Sequence, residues 1–119
     1  MPELDHLYEY RARVTDVYDG DTVTVDVDLG FNVWIHAEEI RLLGIDAPDV
    51  RGPERPEGLV SRDALRDLID GKDVVIRTVK DPEGKDPRYL ADVFVENEAG
   101  ELESVNRILV DRGLATRTE

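Results

Sequence analysis

The chain has no cysteine in 119 residues, so disulfides, thiolate metal sites, iron–sulfur clusters and cysteine nucleophiles are all excluded. Histidine occurs twice, at His6 and His36, too sparsely for an imidazole metal site. Aromatic residues make up only 6% of the chain. Lysine is scarce as well, with Lys72, Lys80 and Lys85 set against twelve arginines. No apolar run approaches the ~18 residues of a membrane-spanning helix. The opening Met1-Pro2-Glu3-Leu4-Asp5-His6 has neither the basic flank nor the apolar stretch of a signal peptide. Both absences lead us to expect a cytoplasmic protein with no membrane partner.

Charge of one sign dominates what remains. Acidic side chains number 28 and basic ones 15, a formal net charge of −13. Such a surface repels phosphate backbones, and non-specific nucleic-acid binding is largely electrostatic. A nucleic-acid role must therefore rest on a local basic cluster or on bound cations. Abundant Asp and Glu with little Lys also suit molar salt, where repulsion is screened within about 3 Å. The 40% apolar content is spread evenly enough to build a core rather than a disordered chain. A domain of this length buries roughly two thirds of its unfolded surface and needs no staple.

The pattern of apolar residues predicts a mainly β domain with two helices (α+β). Residues 1–7 read as a lead-in, 8–115 as one domain and 116–119 as a tail. Tyr8, Tyr10, Ala12 and Val14 alternate with polar residues, as in a strand. After the Asp19-Gly20-Asp21 turn, Val23, Val25, Val27 and Leu29 alternate with Thr22, Thr24, Asp26 and Asp28. A third extended stretch covers residues 31–45, with a bend or bulge near Ala37-Glu38-Glu39. Pro48, Pro53 and Pro56 make residues 46–57 a loop. Val60, Ala64, Leu65, Leu68 and Ile69 then form one helical stripe over residues 58–70, stopped by Gly71. Strands follow at 74–79 and 89–95, and a short helix capped by Ser104 ends before Gly113. Five short strands with a helix between the third and fourth predict a five-stranded Greek-key barrel of the OB type.

Three carboxylates fall at strand ends or in turns. Asp21 opens the second strand, Asp46 closes the third and Asp49 lies in the Pro-rich loop. Such carboxylates can converge with a backbone carbonyl on a hard cation such as Ca²⁺. Arg41 and Arg88 sit in strands among apolar neighbours, and a guanidinium can bond two phosphate oxygens at once. Together these residues suit an anionic phosphoryl centre. Arg51, Arg55, Arg62 and Arg66 are interleaved with Glu54, Glu57, Asp63 and Asp67, which reads as helical ion pairing.

Four ordered segments carry a resemblance over about residues 9–115. They are Val17-Tyr18-Asp19-Gly20-Asp21-Thr22, then residues 40–49 (Ile-Arg-Leu-Leu-Gly-Ile-Asp-Ala-Pro-Asp), residues 88–95 (Arg-Tyr-Leu-Ala-Asp-Val-Phe-Val), and Val105-Asn106 with Gly113-Leu114-Ala115. The set resembles the staphylococcal nuclease family, whose OB barrel agrees with the strand count. The resemblance implies one Ca²⁺ held by Asp21, Asp46 and the carbonyl of Ala47, with Asp19 behind them. It implies that Asp49 orients or deprotonates the attacking water. Arg41 and Arg88 would grip the scissile phosphate from opposite sides, with Lys85 and Tyr89 as substrate contacts. The implied reaction is hydrolysis of DNA or RNA to 3′-phosphate ends by a protein that is a monomer in the simplest case. The alternative is a weakened module of the same fold that binds nucleic acid or a protein partner. Two departures bear on this choice. Asp49 stands where the family usually has the longer Glu, and Asp86-Pro87 replaces Tyr-Gly before Arg88. The aromatic residues that family members carry beyond the Gly-Leu-Ala segment are also missing, leaving Tyr18, Trp34 or Tyr89 to stack a base.

Overall fold

The computed structural model describes residues 8–80 and 87–118. Strand β1 (Glu9–Asp19) pairs antiparallel with β2 (Thr22–Asp28), and β2 pairs with β3 (Trp34–Leu42). On its other side β1 pairs with β5 (Asp73–Lys80), which pairs with β6 (Tyr89–Glu96). A parallel contact of β3 with β6, over Ile40–Tyr89, Arg41–Leu90 and Leu42–Ala91, closes the ring. The result is the expected five-stranded OB barrel. Helix α1 (Arg55–Ile69) lies between the third and fourth barrel strands, and α2 (Val105–Asp111) follows the last.

Alternation explains the barrel interior. Val23, Val25 and Val27 of β2 are all buried, facing Val14, Val17, Ile40, Leu42, Ile76, Ala91 and Val93 of the other strands. The register of β1 shifts between Val14 and Asp16, so Val17 also turns inward. The bulge expected in the third strand is present: pairing with β2 slips between Val25 and Val27, and Ala37 takes φ 58°. Asp26 Oδ1 accepts the Ala37 N–H at 2.9 Å and fixes that kink. The same bond, more than the nearby His36, holds the Asp26 carboxyl below its usual range.

Four local expectations need correction. The third strand does not run to Ile45: the chain leaves the barrel at Leu43-Gly44, with Gly44 at φ 76°. Ile45–Asp46 instead forms a short strand, β4, against β8 (Thr116–Arg117). Helix α1 begins a turn early because Pro56 fits the first helical turn, where its missing N–H costs no bond. Val60 points outward and is 60% exposed, while Gly58, Ser61, Leu65 and Ile69 form the buried stripe. Ser61 takes the inward place because its Oγ donates to the Leu114 carbonyl at 2.6 Å, tying the helix to the C-terminal turn. A short strand β7 (Leu102–Ser104), not anticipated, extends the edge of β6.

Asn106 holds α2 to the barrel where β3 ends. It is 4% exposed; its Oδ1 accepts the Val93 N–H, and its Nδ2 donates to the Leu43 and Ala91 carbonyls at 2.9 and 3.1 Å. Asn106→Ala leaves these backbone groups buried without a partner, so it should cost about 3 kcal/mol. Urea unfolding measures this; a loss below about 1 kcal/mol would mean that water replaces the amide.

Candidate active site

The site forms where β2, the end of β3, β4 and the loop before α1 meet, in a cleft of about 530 Å³. Its walls carry six carboxylates, Asp19, Asp21, Glu39, Asp46, Asp49 and Glu54, and three guanidiniums, Arg41, Arg51 and Arg88.

Asp21 is the buried centre, 4% exposed. The turn before it is tight because Asp19 Oδ1 accepts the Asp21 N–H at 3.0 Å. Gly20 allows the turn to press on its neighbours: a Cβ there would meet the Ala47 Cβ at 2.7 Å and the Ser61 Cβ at 2.9 Å. The Asp21 carboxylate accepts from Thr22 Oγ1 at 3.2 Å and from the Ala47 N–H at 2.9 Å. Its backbone carbonyl accepts the Leu42 N–H, which anchors the first motif to the second.

Arg41 Nη2 sits 3.4 Å from Asp21 Oδ2 and 3.0 Å from Asp46 Oδ1. Two carboxylates, one from the turn before β2 and one from β4, therefore converge on one cationic nitrogen. On the other wall Arg88 Nη1 lies 3.2 Å from Glu39 Oε1 and 3.5 Å from Thr22 Oγ1. Asp49 projects from the loop, its Oδ1 accepting the Arg51 N–H at 3.3 Å and its own N–H donating to Glu54 Oε1 at 3.4 Å.

The structure brings Asp19, Asp21, Arg41, Asp46, Ala47, Asp49 and Arg88 to one cleft. Tyr18 joins them, whereas Tyr89 lines a neighbouring apolar groove and Trp34 a third depression. Lys85 lies outside the described residues. Of the helix-side arginines, Arg62 pairs with Asp63, and Arg55 and Arg66 donate to the Val50 and Val17 carbonyls; Arg51 alone of the four reaches the cleft. Glu39 and Glu54 were missed. Glu39 was findable, because two residues before Arg41 on a strand is the same face.

Burial, and next the adjacent Asp21 carboxyl, push the Asp19 carboxyl up to about 6. An unfolded chain releases that proton near pH 4. The cation-free fold therefore binds more protons than the unfolded chain between these values, and this group makes it more stable as pH falls from about 6 towards 4. In EDTA, Asp19→Asn should narrow the gap between thermal midpoints at pH 5 and pH 7.5. An unchanged gap would place the linkage elsewhere.

Among the described residues no group of three carboxylates or imidazoles is close enough to hold a metal by itself. The carboxylates that converge are Asp21 and Asp46, hard oxygens drawn to one positive nitrogen. That fits a calcium ion, which completes its shell with carbonyls and water.

Comparison with known proteins bears on the family. No curated protein matches the chain. The family model described as staphylococcal nuclease homologue matches residues 39–119, more than half of the sequence. Asp19 and Asp21 precede the matched segment; Asp21 is joined to it by its bonds to Ala47, Arg41 and the Leu42 N–H, and Asp19 is held to Asp21. Barrel, motifs and family model concur, and the chain belongs to the staphylococcal nuclease homologue family.

Proposed function

We propose that the protein is a calcium-dependent nuclease that hydrolyses DNA or RNA phosphodiesters to 3′-phosphate ends. The observation that carries this reading is the convergence of Asp21 and Asp46 on one cationic nitrogen, with a second guanidinium, Arg88, across the cleft. Six carboxylates against three guanidiniums would repel a polyanion. Asp21 and Asp46, with Ala47 beside them, would hold a divalent cation, which would lower that excess of negative charge. When bound it supplies Lewis-acid polarisation of a phosphoryl oxygen.

The remaining steps belong to the chain's own side chains. Arg41, which a cation on Asp21 and Asp46 would free from both carboxylates, bonds two oxygens of the scissile phosphate. Asp49 accepts a proton from the attacking water, which adds to phosphorus as the bond to the 5′-oxygen breaks. Arg88 exchanges Glu39 for the phosphate and steadies charge on the departing oxygen, which is protonated from solvent. The arginines supply electrostatic stabilisation in place before the reaction.

End mapping of a cleaved single-stranded oligonucleotide tests the chemistry. New 3′-phosphate and 5′-hydroxyl termini are expected, and 5′-phosphate termini would overturn the assignment. Glu39→Gln should strengthen oligonucleotide binding several-fold, because it removes the anion that competes for Arg88. Equal affinity would show that the pair does not gate the site. The alternative, a binding module without turnover, rests on the shorter reach of Asp49; retention of oligonucleotide without any new termini would select it.

A further inference from the structure

The connection between β2 and β3 is unlike the rest of this acidic surface. It carries Leu29, Phe31, Val33, Trp34 and Ile35, with Phe31 100% exposed and the others 39–50% exposed. Phe31 adopts φ 55° and Asn32 φ 61°, in a turn closed by Leu29 and Val33 with Gly30. A left-handed Phe is costly, and Gly or Asn would relieve it. Within one copy Phe31 gains no burial for that cost.

A groove of about 610 Å³ begins at the base of the same hairpin. Leu29 and Ile35 form its near wall, Tyr8, Val79 and Tyr89 its rim, and Ile76 part of its floor. Five of the chain's seven aromatics belong to this hairpin or this groove. Among the described residues β3 pairs with β6 only over Ile40–Leu42, so the Trp34–Glu39 stretch has one edge with no strand beside it. Its apolar part is Trp34-Ile35 alone, since His36, the Ala37 bulge, Glu38 and Glu39 blunt the rest, so the open backbone beside Trp34-Ile35 is what is left to meet another strand.

Trp34 turns to the opposite face, into a separate depression, but Phe31, the Leu29 and Ile35 wall of the groove and the open edge lie side by side, which is what a twofold-symmetric contact requires. We infer that two copies of this chain associate through their β2–β3 hairpins, the Phe31 of each seated in the groove of the other. The exposed parts of these apolar side chains amount to about 800 Å² per copy, what one partner of a standard interface contributes. Patches of that size are rare on proteins that stay monomeric. The occupant is a second copy because the exposed Phe31 and the apolar groove beside it are carried by the same chain, so a twofold contact fills both grooves. Two chains of net charge −13 repel each other, so added salt must strengthen the contact by screening.

Sedimentation equilibrium of the full chain at 50 mM, 0.5 M and 2 M NaCl tests this. A dimer is expected, tightening as salt rises. Phe31→Gly removes the knob and suits the left-handed backbone, so its fold should hold by circular dichroism. Its dimer dissociation constant should rise about 30-fold or more, as for a central hot spot. Phe31→Asp should act in the same direction. A wild-type monomer at every salt concentration, or a folded Phe31→Gly protein that dimerises like wild type, would overturn the inference.

Discussion

Replacing Arg41 with alanine should lower the cleavage rate about 100- to 1000-fold, the usual effect of deleting one preorganised donor to a developing anion. The same change should tighten calcium binding rather than weaken it. Arg41 Nη2 is the positive charge that now sits between Asp21 and Asp46, so a cation competes with it for both carboxylates. Arg41→Lys should recover little rate, since an ammonium cannot reproduce the planar fork that bonds two phosphate oxygens. Rate constants on one oligonucleotide and calcium titration calorimetry on the same preparations decide the matter. Loss of rate with loss of calcium affinity would make Arg41 a structural support of the cation site.

Gly58→Ala should be nearly as damaging although Gly58 bears no side chain. In an exposed helix this substitution stabilises by about 0.5–1 kcal/mol. Here the sign reverses. A Cβ at Gly58 would overlap the Asp49 carbonyl group and come within 2.8 Å of the Val50 nitrogen. All of these are backbone atoms, so relief requires the loop or the helix to move. Because Asp49 sits on that loop, a shift of about 1 Å costs about 100-fold in rate. The expected result is a folded, destabilised protein that binds calcium normally and cleaves about 100-fold more slowly. Wild-type kinetics would show that the position of Asp49 does not matter, and the water-orienting role would fall.

These two substitutions also mark what a single sequence discloses. Strand β2 was legible because its valines alternate without interruption and every one is buried. Asp21, Arg41, Asp46, Asp49 and Arg88 were legible because they lie in short segments that keep the family's order and charges, whereas Glu39 and Glu54 of the same cleft were not. The exit of the chain at Gly44 was not, since Ile45 continues the apolar pattern and its partner strand lies some 70 residues away. Val60 and Ser61 were exchanged for a related reason. A hydroxyl that finds a carbonyl on a distant turn can be buried, and hydrophobicity alone does not register that bond. The pairing of Glu39 with Arg88 spans 49 residues and exists only once the barrel closes. The clash behind Gly58 belongs to the same class, because a helical glycine reads as a weakness until the loop packed against it is seen.

The central claim, that Asp21 and Asp46 hold the cation on which hydrolysis depends, is tested most directly by a calcium titration of cleavage. One labelled single-stranded oligonucleotide is incubated with the wild-type protein and with Asp46→Asn, each from EDTA to millimolar calcium. No cleavage is expected in EDTA, with saturable activation in wild type and a midpoint shifted to at least tenfold higher calcium in Asp46→Asn. Cleavage that persists in EDTA, or the same midpoint in both proteins, would contradict it.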